Sequence, residues 1–402
     1  MIAAEFFLTD MFSVISVVMA FVFLWSTMIL FVGLFRRSAV HPKATRKLRF
    51  AVLVCARNEE RVIRLPVKSI MMTSYPRELR DVIVLADNCS DQTAARAREA
   101  GAIVWEKTVP SSGKGDVLAW GLEKVIACGA YDAVAVFDAD NIVSAQWFDH
   151  MNDALNDGER IATGRRMSSN ATKNVISGWY TVYWDLMNEL SNRVRTNLNL
   201  SGKLTGTGFA FRLDLLDEKG WQTKTMVEDV EFSVQCNIRG CRIAYVPEAE
   251  YADEQPVTVH HMWRQLCRWA TGCWQVVRLY FVPWLSALFD HFSFRLFDSY
   301  FAMLTGLSVA FLILLSFVTL VLRLISGRDP LLALFLFASS MAFVSLVSWV
   351  MACSAVLLSN KKRRPRWWAV MTFPVFSFVL SLTVLFTLVH PTRTWKPIPH
   401  GN

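Results

Sequence analysis

The chain has 402 residues, 53% of them hydrophobic and 19% charged, and 42 Lys and Arg against 34 Asp and Glu give a net charge of +8. Such a length allows two or three domains of roughly 100–200 residues, and the composition excludes both a disordered chain and an ordinary soluble enzyme. The basic balance suits an anionic partner, whether lipid headgroups, phosphates or nucleic acid, and the placement of the apolar residues decides among these.

Met11–Phe35 is the first of four segments apolar enough to cross a bilayer, which takes roughly 20 residues. Asp10 and Glu5 precede it where a secretory signal would carry basic residues, and its apolar run is too long for one, so it reads as a retained anchor. Arg36, Arg37, Lys43, Arg46, Lys47 and Arg49 follow it. Positive flanks stay in the cytoplasm, which puts the N-terminus outside and the stretch 36–297 inside.

From Leu48 to about Val246, short apolar runs alternate with helical stretches. Strands are expected over Phe50–Cys55, Asp81–Ala86, Ala102–Trp105 and Ala133–Phe137, and helices over Arg57–Met72, Asp91–Ala100 and Lys114–Ala127. Continuous apolar strands separated by helices predict an α/β fold, a doubly wound parallel sheet with both faces covered. Ligands of such sheets bind beyond the carboxyl ends of the strands. Polar residues gather there: Arg57, Asn58, Glu59 and Glu60 after the first strand, Asp87, Asn88 and Asp91 after the second, Asp138, Asp140 and Asn141 after the fourth. Asp91 reads as a helix cap. Asp138-Ala139-Asp140 offers two hard carboxylates that repel unless a cation lies between them, which suits Mg2+ or Mn2+ bridging a diphosphate.

Ser112-Gly113-Lys114-Gly115 sets a Lys between glycines at a helix start, where backbone can approach phosphate; a plain turn with an exposed Lys has the same sequence. Glu228-Asp229 opens a helical pattern over Val230–Arg239. Those acids suit either the helix dipole or a general base. Gln265, Arg268 and Trp269 share one helix face. Arg grips phosphate in a fork, and a flat indole suits a sugar ring. The amphipathic stretch Val259–Tyr280, with Trp263 and Trp274, equally suits a helix on the membrane surface. Three more apolar segments follow, about Asp298–Ile325, Leu331–Ser359 and Trp367–Val389. Lys361, Lys362, Arg363, Arg364 and Arg366 precede the last and agree with the first orientation, while Arg393 and Lys396 leave the side of 390–402 open. None of the eight cysteines forms C-x-x-C, so no zinc site is expected. The divisions are an anchor over 1–35, a cytoplasmic domain over 36–256, interface helices over 257–297, three spans over 298–390 and a tail over 391–402.

Asn58-Glu59-Glu60, Asp87, Asp138-x-Asp140, Glu228-Asp229 and Gln265-x-x-Arg268-Trp269 stand in the order found in processive family 2 glycosyltransferases. The chain resembles that family from about residue 50 to 275, and its spans are most like those of the chitin-oligosaccharide synthases. It departs at Val227, where Thr usually precedes Glu-Asp, and at Leu266, where Arg usually follows Gln. The resemblance implies a GT-A type nucleotide-sugar transferase domain on the cytoplasmic side of the cell membrane. It implies an inverting enzyme that polymerises sugar from a UDP-sugar into a β-linked glycan and passes it across the bilayer. UDP-N-acetylglucosamine is the first donor expected, then UDP-glucose or UDP-glucuronate. Addition of one sugar to a lipid carrier is the alternative. By the same resemblance Asn58, Glu60 and Asp87 hold uracil and ribose. Asp138 and Asp140 hold nucleotide and metal, with Asp140 the direct ligand. Lys114 and Arg268 meet the pyrophosphate, and Asp229 is the general base. Trp269, Gln265 and Glu228 meet the growing glycan acceptor, with Gly206 and Thr207 as its floor. Nucleic acid is not expected, because the basic residues cluster at membrane boundaries. Helper subunits are not legible.

Overall fold

The structure, a computed structural model, describes residues 17–18, 21–37, 40–327, 329–359 and 364–393. Eight strands form one sheet: β1 (Phe50–Ala56), β2 (Arg80–Asp87), β3 (Ile103–Lys107), β4 (Ala133–Asp138), β5 (Ile142–Val143), β6 (Ile161–Ser168), β7 (Phe209–Arg212) and β8 (Ile243–Asp253). Their order is β3-β2-β1-β4-β7-β6-β8-β5. The first four are parallel, as expected, and the chain moves outward from β1 to β3 before returning to β4 on the other side of β1. That reversal makes a switch point between β1 and β4, the place where such sheets hold ligands.

The other half is mixed. β7 runs antiparallel to β4 and β6, β5 runs antiparallel to β8, and β6 pairs parallel with β8. The doubly wound expectation therefore covers only the half built from β1 to β4. Alternation supplies a core to each face. Phe50, Val52 and Val54 of β1 and Ala210 of β7 join one cluster, and Ala51, Leu53, Phe209 and Phe211 join the other. Burying each large apolar side chain contributes about 1.5–3 kcal/mol.

Two helices start later than their apolar pattern suggests. The first runs over Arg64–Met71, not from Arg57. This start puts Pro66 in the first turn, where a missing N–H leaves no carbonyl unpaired, and Asn58 turns the preceding segment at φ 57°. The second runs over Thr93–Glu99, and Asp91 Oδ1 accepts the N–H of Thr93 at 3.0 Å. The helix Lys114–Cys128 starts where expected.

A helix of 32 residues, Val259–Asp290, leads from the sheet toward two long apolar helices, Phe294–Ile325 and Pro330–Leu358. Those two, with mean hydropathies of 2.5 and 2.2, are long and apolar enough to cross a membrane. Only 22% and 6% of their most apolar windows is buried within the protein. A core helix would be buried, so this apolar surface faces outward. The other two expected spans are shorter among the described residues. The first is Phe21–Leu34, residues 1–16 lying outside the described part. The last is divided into Trp367–Met371 and Phe373–Val389. Pro374 explains the break, because its ring displaces the carbonyl four residues earlier. Lys361, Lys362, Arg363 and Lys396 also fall outside the described residues. The helix Phe21–Leu34 is tied to Phe294–Ile325 by Trp25 Nε1 donating to Asp298 Oδ1 at 3.0 Å and by a 2.7 Å bond between the Ser26 and Thr305 hydroxyls.

Candidate active site

The carboxyl ends of β1, β2 and β4 open onto a cavity of about 1160 Å3. Asp87, the last residue of β2, is buried there. Its carboxylate accepts the Ser111 hydroxyl at 2.7 and 2.8 Å and the Asn88 amide at 2.8 Å, and Arg57 lies 3.6 Å away. These contacts fix its orientation while one edge still faces the cavity.

Lys114 is the hub of the site. Its ammonium pairs with Asp138, donates to the Gly206 carbonyl at 2.6 Å and stands 3.8 Å from Glu228. Burial opposes its charge, but the Asp138 and Glu228 carboxylates outweigh burial and hold it protonated, above the usual lysine range. The plain-turn reading of Lys114 is thereby excluded. Below it the Asp138 backbone N–H donates to Thr207 Oγ1 at 2.9 Å and to Asn141 Oδ1 at 3.1 Å. Asp140 accepts the Glu254 N–H at 3.0 Å and the Asn141 amide at 3.2 Å. Asp138 and Asp140 therefore bring two oriented carboxylates to the cavity. Among the described residues no group of three or more His, Cys, Asp or Glu is placed to hold a metal. Two hard carboxylates suit Mg2+ or Mn2+, which take one or two protein ligands and complete their shell with phosphate and water.

Beside Lys114 stands Glu228-Asp229, at the start of the helix Glu228–Ile238. Burial raises the pKa of both carboxyls, with Lys114 opposing; for Glu228 the charge of Asp229 adds to the rise, which reaches about 7. A base must be ionised to act. If Asp229 is that base, kcat/KM falls with an acid limb above the usual aspartate range, whereas a limb at the usual value would identify a solvated carboxylate instead. A pH profile at saturating metal checks this. A Cβ placed on Gly206 would stand 3.9 Å from Asp229 Oδ2, so the floor and the carboxylate are neighbours.

The helix Val259–Asp290 supplies the remaining wall. Arg268 Nη1 donates to the Met226 carbonyl at 3.2 Å. Trp269 stacks on Tyr183 at 5.9 Å and meets Tyr180 and Trp184 edge to face. Gln265 lines the cavity, and its Oε1 is buried without a hydrogen-bond partner among the described residues, as expected of an acceptor that a ligand completes. Leu266 is fully buried among apolar residues, where an Arg would not fit unpaired. Val227 packs on Gly272 so closely that a Cβ there would lie 2.6 Å from its Cγ1. Gly272→Ala is expected to cost about 1–3 kcal/mol by overpacking, read as a lower melting temperature. Combining it with Val227→Ala should restore most of the loss.

Asp87, Lys114, Asp138, Asp140, Gly206, Glu228, Asp229, Gln265, Arg268 and Trp269 all line this one cavity. Asn58, Glu60 and Thr207 stand behind its wall. Asn58 Oδ1 accepts the Ser90 N–H at 2.8 Å, Glu60 Oε2 accepts the Gln92 N–H at 3.1 Å, and Thr207 is fully buried beneath Asp138. Arg166 was not foreseen. It lies buried on β6, pairs with Asp253 and covers the Trp184 ring at 3.7 Å. The signal was present: Arg165 and Arg166 interrupt an apolar run, and neighbours on a strand face opposite sides, so each needs a buried partner. Arg165 finds Glu189 at 2.5 Å.

A family model described as "Glycosyltransferase like family 2" matches residues 48–272. The probable glycosyltransferase YdaM of Bacillus subtilis (strain 168) is 28% identical over 272 residues, covering 64% of this chain and 64% of that protein. The poly-beta-1,6-N-acetyl-D-glucosamine synthase of Staphylococcus aureus (strain COL) is 24% identical over 231 residues, covering 56% and 54%. The chain thus spans less than two thirds of the length of these curated relatives. Among solved structures, the mannosyltransferase PcManGT of Pyrobaculum calidifontis, in complex with GDP-Man and Mn2+, superposes at a TM-score of 0.58. That likeness covers 93% of this chain and 99% of that one at 17% identity, a likeness of fold.

Proposed function

The chain belongs to glycosyltransferase family 2, and from that premise we propose that it transfers a hexose, with inversion, from a UDP-sugar to a hydroxyl of an acceptor arriving from the membrane side. The observation that carries this reading is the convergence of Asp87, Lys114, Asp138, Asp140, Asp229, Arg268 and Trp269 on one cavity. Asp229 takes the proton of the acceptor hydroxyl. The oxygen forms its bond to the anomeric carbon from the face opposite the diphosphate, whose C–O bond breaks and whose oxygen leaves with the electron pair. Lys114 and Arg268 stabilise that negative charge, a contribution that is usually the largest single one in such reactions. Mg2+ or Mn2+ held by Asp140 and Asp138 would neutralise further charge on the diphosphate. Asp87 orients the nucleoside, Asn58 and Glu60 brace the loop beside it, and Trp269 supports the acceptor sugar.

Successive additions would build a β-linked glycan, with UDP-N-acetylglucosamine the first donor to test. Residues 36–256 form the catalytic domain on the cytoplasmic side, and the helices after 297 form a multi-pass membrane part. One observation favours a second reading, a single transfer to a lipid. The cavity continues between the membrane-side helices past Leu307, Leu346, Val347, Phe376 and Leu380, a wall better suited to hydrocarbon than to sugar. Purified protein offered a panel of UDP-sugars with Mn2+ decides the matter through UDP release and the mass of the product. Products of many sugars support polymerisation, one added sugar supports the lipid reading, and no release from any nucleotide sugar contradicts both.

A further inference from the structure

Part of the cavity wall carries charge that this transfer does not use. Arg195 and Lys203 line it, as do Ser26 of the helix Phe21–Leu34 and Ser299 of Phe294–Ile325. Asp298 is fully buried within that last helix, and its carboxylate is already satisfied. It accepts Arg195 Nε at 2.8 Å, Arg195 Nη2 at 3.3 Å and the Trp25 indole at 3.0 Å. Lys203 has no such partner. Its Nζ donates to the Ala302 carbonyl at 2.6 Å, and among the described residues no carboxylate stands within ion-pair distance of it.

An ammonium has three N–H donors, and Lys203, half-buried beside the Arg195–Asp298 pair, leaves one positive charge unmatched there, a cost that an anion would relieve. Burial and the charge of Arg195 pull its pKa down to about 8, with Asp298 offsetting only part of the fall. Cys273 and Asp229 line the same cavity as Lys203, so the ammonium and the reaction centre share one space. Phe23 and Leu30 continue the wall on the membrane side. The cavity therefore offers a cationic group and apolar side chains in one wall.

We propose that Lys203, backed by Arg195, binds the phosphate of a phosphorylated lipid whose chain lies against the helix Phe21–Leu34 and whose headgroup is thereby held toward Asp229. This rests on the reading that the acceptor enters from the membrane side, and it names the chemical class of that acceptor.

Native mass spectrometry of the full chain, released from dodecyl maltoside, tests it without turnover. Phosphatidic acid and diacylglycerol of the same chains serve as probes. The wild-type chain should retain phosphatidic acid roughly ten-fold over diacylglycerol, the weight of one charge-assisted hydrogen bond. Lys203→Met should lose that preference and Lys203→Arg should keep it, with UDP affinity alike in all three. Equal retention of the two lipids by the wild type overturns the proposal even if Lys203→Met does not fold, and so does an undiminished preference in Lys203→Met. Displacement by an equal concentration of inorganic phosphate overturns the lipid assignment in favour of a free-anion site. Displacement by glucuronate, without phosphatidic acid retention, overturns it in favour of an acidic glycan. Failure of every UDP-sugar as donor would leave the lipid preference intact, so the two readings fail separately.

Discussion

Asp229→Asn should retain UDP binding and lose turnover by about 10²–10⁴-fold, the usual contribution of a general base. The substitution keeps the shape but replaces the basic carboxylate with a neutral amide that does not take up a proton near neutral pH. Asp229 and Asp87 line the cavity from different elements, and the Asp229 backbone carbonyl is fixed by Ser233 Oγ at 2.7 Å, so donor affinity gives a fair control for folding. Steady-state kinetics beside calorimetric titration with UDP and Mn2+ separates the two effects. Turnover above a few per cent of wild type would move the base elsewhere, and the buried neighbour Glu228 would be the next residue to test.

The second large effect is expected at Lys114. Lys114→Met removes the ammonium that joins Asp138, Glu228 and the Gly206 carbonyl. Two effects follow from the same loss. Breaking a buried ion pair typically costs about 3–5 kcal/mol because a charge is left unpaired, and the cavity's solvent should hold the cost near the lower end. Donor affinity should also fall roughly 10²-fold, since a charge-assisted contact to the diphosphate is lost. The sign of the pH effect is fixed as well. Lys114 lowers the pKa of both Glu228 and Asp229, so without it the acid limb of kcat/KM moves to higher pH. An unchanged limb and an unchanged affinity would reduce Lys114 to a scaffold residue.

The parallel half of the sheet was legible because β1, β2 and β4 are nearly unbroken apolar runs, a pattern only a strand covered on both faces produces. The acids at their ends were legible for the same reason, since the strand ends set where ligands bind. β6 was not legible, because Arg165 and Arg166 break its apolar run and their buried partners Glu189 and Asp253 are distant in sequence. The late start of Arg64–Met71 was hidden by an apolar period that ignores Pro66. Two membrane-length helices were plain from composition, whereas the break at Thr372 depended on the local effect of Pro374. The separation of Asn58 and Glu60 from the cavity could not be read, because motif order says which residues are near a strand end but not which way each one points. Lys203 carries no motif at all; only the packing of its loop against Ala302 reveals its charge as unmatched.

The proposed reaction is a single displacement at one carboxylate, with the sugar diphosphate between Lys114 and Asp229. Proton NMR of the new glycosidic bond formed from an α-linked UDP-sugar tests it most directly. A β linkage is expected from the first detectable product onward, and an α linkage would contradict a single displacement.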